Sequence, residues 1–144
     1  MACSRLLYSL SHNHIGAKGA AALAPALAAN GSLTVTKLLR NELDAESAKM
    51  LAEVAKQKGI SLCGIQRDQT TAVFSQQGLK PPDAILLASD LSQAGVTGGL
   101  TSIDLSKNQL CGVDILGRGH HYTTEGITAI ADALRVNGAL TKIE

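Results

Sequence analysis

The residues best equipped for chemistry gather in one glycine-rich stretch, CGVDILGRGHHY from Cys111 to Tyr122, where His120 and His121 stand beside Arg118 with Asp114 and Cys111 close in sequence. Imidazole, thiolate and carboxylate are the ligands of zinc and the acids and bases of hydrolysis. Adjacent histidines in a glycine-rich loop are ordinarily solvated, however, and no metal is expected there. His12 and His14 flank Asn13 as an H-x-H pair, but without a carboxylate or thiol at fixed spacing they read as surface histidines. The run GVDILGRGHH holds no G-K-[ST], so it lacks the lysine and hydroxyl of a phosphate loop. Cys63 lies in the apolar ISLCGI segment, where a thiol with no base beside it behaves as a small hydrophobe, and Ser4, Ser9 and Ser11 have no G-x-S-x-G context. The chain is expected to be non-catalytic and to need no cofactor.

The elements that must position these residues follow an internal repeat. LLYSLSHNHIG from Leu6 and LTVTKLLRNEL from Leu33 superimpose with Asn13 and Asn41 28 residues apart. From Leu100 the chain reads LTSIDLSKNQL, where Leu100, Ile103, Leu105, Asn108 and Leu110 fill L-x-x-L-x-L-x-x-N-x-L. A diverged copy between them offers Ala72, Phe74, Gln77 and Leu79, with Gln77 in the place of the asparagine, and LTKIE from Leu140 begins a further one. We therefore expect one domain over 1–144, with repeats at about 5–32, 33–60, 61–99 (diverged) and 100–139, and a partial fifth at 140–144. Each copy predicts a short strand with alternating inward residues, a turn, and an amphipathic helix. Asn13, Asn41, Gln77 and Asn108 are the structural turn positions, because a side-chain amide both donates to and accepts from the backbone groups that a tight bend leaves unpaired. Asn30-Gly31 and Asn137-Gly138 are expected to close two helices with a left-handed residue, and Pro25 to kink the first helix or delay its start.

Composition agrees with a folded chain: 45% of residues are hydrophobic and 17% charged. Thirteen Lys and Arg against 12 Asp and Glu leave a formal charge of +1, so no field of the whole protein would gather nucleic acid or an anionic membrane. Three widely spaced cysteines suggest reduced thiols and a cytoplasmic setting, and neither a signal peptide nor a membrane span is expected. A doubly wound nucleotide-binding sheet, the other arrangement of alternating strands and helices, would not require the recurring Asn, and G-x-G-x-x-G is missing after the first strand.

The pattern L-x-x-L-x-L-x-x-N-x-[IL]-G followed by GA-x-x-LA-x-AL resembles the leucine-rich repeats of the ribonuclease-inhibitor class. That class includes ribonuclease inhibitor, the sensing region of intracellular nucleotide-binding immune receptors and the activating protein of the Ran GTPase. The resemblance implies an α/β fold: a right-handed solenoid, or short horseshoe, with parallel strands on the concave face and helices on the convex face. It also implies a protein-binding scaffold or the recognition fragment of a larger protein. The alternative it carries is a regulator that stimulates a small GTPase, for which Arg40 and Arg118 are the placed arginines. Spacings of 36 from Asn41 to Gln77 and 31 from there to Asn108 depart from a uniform repeat, and two insertions, KGISLCGIQRDQTT and 111–122, account for them. The first contains an apolar run that predicts an added strand or hairpin.

Strand alternation places Lys37, Leu39, Arg40, Val73 and Asp104 outward. The expected binding residues are His12, Lys37, Arg40, Gln76, Asp104 and Lys107 on the concave face, with Arg118, His120 and His121 on the inserted loop. The partner is expected to be a protein, with no nucleic acid and no membrane, and self-association through uncapped repeat ends is a further expectation.

Overall fold

A computed structural model describes residues 7–112 and 122–144. In chain order the elements are β1 (Leu7–Ser9), α1 (Gly16–Ala29), β2 (Val35–Lys37), α2 (Ala45–Lys58), β3 (Thr71–Val73), α3 (Pro81–Leu91), α4 (Ala94–Thr97), β4 (Ser102–Asp104), α5 (Glu125–Val136) and β5 (Lys142–Ile143). All strand pairs are parallel, as expected where a helix carries the chain from one strand to the next. β1 pairs with β2, Leu7 opposite Val35, and β3, β4 and β5 form a second open sheet in which Thr71, Ser102 and Lys142 are in register.

The apolar run predicted as an added strand or hairpin forms a further rung beside β2. Ser61 bridges Val35, the Thr36 N–H donates to the Ser61 carbonyl at 2.9 Å, and the Leu38 N–H donates to the Leu62 carbonyl at 2.9 Å. The ladder does not continue from this rung to β3, so the strand layer is split between residues 61–63 and 71–73.

The core lies between strands and helices, where Leu38, Leu62, Leu79, Leu100 and Ile103 meet Leu51, Leu86, Leu87 and Leu91. α2 begins at Asp44, whose carboxylate accepts from the Ser47 N–H at 2.8 Å, and ends at Gly59 in the left-handed region at φ 67°. α3 opens on Pro81 and Pro82, at positions where the missing N–H costs nothing. It is buried along its whole length except at Pro82, with α2 packed on one side and α5 on the other.

α5 approaches α3 closely at Gly126. A Cβ there would lie 2.8 Å from the Ala84 Cβ and 2.9 Å from the Leu110 carbonyl oxygen. Gly126→Ala is therefore expected to destabilise by about 1–3 kcal/mol through overpacking, overriding the roughly 1 kcal/mol of helix propensity that alanine adds. Thermal denaturation followed by circular dichroism checks this; a stabilised variant would show that the helices separate freely.

Three local expectations need correction. Asn30 and Asn137 are extended rather than left-handed, with φ −74° and −79°. The Asn30 side-chain oxygen accepts from the N–H groups of Ser32 (2.9 Å) and Leu33 (2.8 Å), and that of Asn137 from Ala139 (3.0 Å) and Leu140 (2.9 Å). This bend turns the chain into the next strand without a positive φ. α1 starts at Gly16 and runs through Pro25 to Ala29, so the proline does not delay its start, and Pro25 and Ala21, whose carbonyl lacks its helical donor, both lie on the exposed face. Leu39 is only 5% exposed, because β2 ends at Lys37 and the turn that follows breaks the alternation.

Candidate functional site

The site is built from a turn that recurs after each strand. His12, Arg40, Gln76 and Lys107 all occupy the left-handed region, at φ 62°, 61°, 58° and 57°. Such a conformation costs a residue with a Cβ about 1–2 kcal/mol. It leaves each of these four side chains exposed at the apex of its turn.

The residue after the apex stabilises the bend. Asn41 is 1% exposed; its Nδ2 donates to the carbonyls of Leu38 at 2.9 Å and Leu10 at 2.8 Å, and its Oδ1 accepts from the Asn13 N–H at 2.8 Å. Asn108 repeats this arrangement: its Nδ2 donates to Leu105 at 2.9 Å and Phe74 at 2.8 Å, and its Oδ1 accepts from the N–H groups of Gln77 and Leu79, both at 3.1 Å. Each of these two amides thus closes its own turn and fastens it to the turn before. The side chain of Asn13 is exposed and bonds only within its own turn, to the carbonyls of Leu10 at 2.8 Å and Ser11 at 3.2 Å.

Gln77 departs from the role expected of it. Its longer side chain turns back to the Val73 carbonyl at 3.4 Å and makes no bond to the preceding turn. Two carboxylates of α3 supply what is missing. Asp83 accepts from the N–H groups of Arg40 at 2.8 Å and Lys80 at 2.9 Å. Asp90, fully buried, accepts from the Ser61 hydroxyl at 2.6 Å and from the N–H groups of Leu62 at 2.8 Å and Cys63 at 3.1 Å, where a continuous sheet would have its next strand. Loss of hydration outweighs these bonds and pushes the Asp90 carboxyl up to about 6, and burial raises that of Asp83 as well. The sequence signal for both was two acids inside the apolar helix PPDAILLASDL.

On the strand side, His12, Lys37 and Arg40 line one wall of a groove of about 370 Å³, and Gln69, Val73 and Gln77 line the other. The groove occupies the split between the two sheets. Of the remaining expected residues, Gln76 is exposed at the next turn, while Asp104 and Lys107 belong to the β4 strand and turn, away from this wall. The Asp104 carboxyl is held below its usual range by its bonds with Ser106 and, more weakly, by Lys107. Arg118, His120 and His121 lie outside the described residues.

A smaller recess of about 200 Å³ lies at the turn ends, bordered by His12, Arg40, Lys80 and the exposed His14–Glu42 pair at 2.6 Å. Among the described residues no group of three or more His, Cys, Asp or Glu is placed to hold a metal ion. Cys63 is buried; loss of hydration first, and the nearby Asp90 carboxylate second, push its thiol well above the ordinary range, which keeps it protonated and poorly nucleophilic. No helix among the described residues is long and apolar enough to cross a membrane.

Residues 9–24, from the end of β1 into α1, match the family model described as Leucine Rich repeat. This match supports a leucine-rich-repeat protein, and such repeats generally mediate interaction between proteins. No curated protein is significantly similar to the chain.

Proposed function

We propose that this chain is an arc of a right-handed leucine-rich-repeat solenoid, similar to the ribonuclease-inhibitor class, with strands on its concave face and helices on its convex face. It serves as a non-catalytic protein-binding scaffold in the cytoplasm. The repeat match, the parallel strands and the asparagine-fastened turns support this reading. The observation that carries it is the strand-side groove, where separate repeats bring His12, Lys37 and Arg40 to one wall.

The face that binds is open to direct test. A photo-crosslinking amino acid at Val73, 60% exposed on the strand side, is expected to capture a protein partner in cells, whereas the same group at the exposed Glu53 of α2 captures none. Capture from Glu53 alone, or from neither position, would overturn the assignment of the face. Stimulation of GTP hydrolysis by a small GTPase on addition of the chain would overturn its non-catalytic part.

A further inference from the structure

The split between the sheets leaves an open strand edge facing a cationic wall. At the two ends of β3, Thr70 and Phe74 bond to β4: the Ser102 N–H donates to the Thr70 carbonyl at 3.1 Å, and the Phe74 N–H donates to the Asp104 carbonyl at 2.8 Å. Backbone groups alternate sides along a parallel strand, so those of Thr71 and Val73 face away from β4. Among the described residues no strand pairs with that edge. Its carbonyls are met by glutamine side chains instead: Gln69 Nε2 lies 2.7 Å from the Thr71 carbonyl and Gln77 Nε2 lies 3.4 Å from that of Val73. An edge covered only by side chains is a template for an incoming strand.

Charge decides what kind of strand fits. Lys37 and Arg40 line the groove, and no carboxylate is among the described residues that do. Because the whole chain carries 13 Lys and Arg against 12 Asp and Glu, this local excess is a property of the groove and not of a basic protein. Val73 adds an exposed apolar surface at the edge, and the one phenyl ring among the described residues lining the groove, Phe74, is buried, which leaves the His12 imidazole as the exposed ring there. Successive bases of a single-stranded nucleic acid would find one imidazole, that of His12, rather than a row of rings to stack on, whereas a peptide backbone finds the outward N–H groups of Thr71 and Val73 and two carbonyls met only by side chains.

We propose that this groove receives an extended, carboxylate-bearing segment of a partner protein, which adds as a strand along the Thr71–Val73 edge and sets its acidic side chains against Lys37 and Arg40. This rests on the protein-binding reading above. Side chains of an extended strand recur on one face about every 7 Å, so the pattern sought is Asp or Glu at alternate positions with apolar residues between.

The probe is a displayed library of random ten-residue peptides, selected on the full chain. The selected peptides should be rich in Asp and Glu, and their binding should weaken with salt. Arg40→Glu, at an exposed position, should reduce affinity at least tenfold, and Lys37→Glu with Arg40→Glu should select Lys and Arg instead, with circular dichroism confirming that both variants fold. Methylating alternate peptide N–H groups of a selected sequence should abolish binding in one phase and spare it in the other. Neutral or basic selected peptides, indifference to charge reversal, equal effects of both methylation phases, or tighter binding of a thymidine oligonucleotide would each overturn the proposal. If the crosslinker at Val73 captures a protein while no acidic peptide is selected, the scaffold reading stands and this inference falls; if neither occurs, both fall.

Discussion

Replacing Asp90 with alanine is expected to destabilise the fold by about 2–4 kcal/mol, since each buried donor left unpaired costs roughly 1–3 kcal/mol and relief of the buried charge offsets part of the loss. The donors abandoned are the Ser61 hydroxyl and the N–H groups of Leu62 and Cys63, all within the rung beside β2. Asp90→Asn is expected to lose less, because it retains one acceptor oxygen while presenting an NH2 group to N–H donors. The two variants separate hydrogen bonding from charge.

The same residue sets a pH dependence whose sign follows from its environment. Burial raises the Asp90 carboxyl from 3.8 to about 6, so between these values the folded chain holds a proton that the unfolded chain has released. Stability from this group therefore falls as pH rises through that window and is level on either side of it. At about 1.36 kcal/mol for each pH unit that separates the two values, the wild-type chain should lose roughly 3 kcal/mol between about pH 3.5 and 7 relative to Asp90→Asn. Asp83 is present in both proteins and cancels in the comparison. Urea denaturation at a series of pH values measures the difference; parallel curves would show that the Asp90 charge is well solvated.

Asn41→Ala is expected to cost a further-reaching contact, about 2–4 kcal/mol, because the buried amide serves three partners on two turns. It strands the carbonyls of Leu10 and Leu38 and the N–H of Asn13. Asn41→Asp should be nearly as harmful, since a carboxylate can accept from Asn13 but cannot donate to either carbonyl. Asn13→Ala is the control: its side chain is exposed and bonds only within its own turn, so its loss should remain under about 1 kcal/mol. In a chain of this length each kcal/mol moves the midpoint by roughly 2–4 °C, so the two alanine variants should be readily separated by Tm. If Asn13→Ala cost as much as Asn41→Ala, the amide's bonds between turns would contribute nothing to stability.

The strand, turn and helix of each repeat were legible because their causes are local. Leu38, Ile103 and Leu105 alternate with outward residues, and Asn41 and Asn108 stand where a tight bend needs both a donor and an acceptor. The spacing of these asparagines also announced that one turn would lie beside the next. Helix ends were less legible: an Asn-Gly pair is compatible with a left-handed cap or with the side-chain bend that Asn30 and Asn137 make, and only the direction of the following strand chooses between them. Leu39 was misplaced for a related reason, since alternation says which way a strand residue faces but not where the strand stops.

The repeating unit and the chemistry of its turns were thus written in the residues and their spacing. Packing between repeats was needed to decide that Gln77 leaves its rung unfilled, that Asp83 and Asp90 take over, and that the strand layer splits into a groove with His12, Lys37 and Arg40 on one wall. The bonds of Asp83 and Asp90 reach donors as far as 43 residues away in sequence, and those donors meet the carboxylates only when successive repeats pack. A period records what each repeat has in common. Where one repeat departs from it, the compensation is set by whichever polar group packing brings within reach, because a buried backbone donor must find an acceptor wherever one is available.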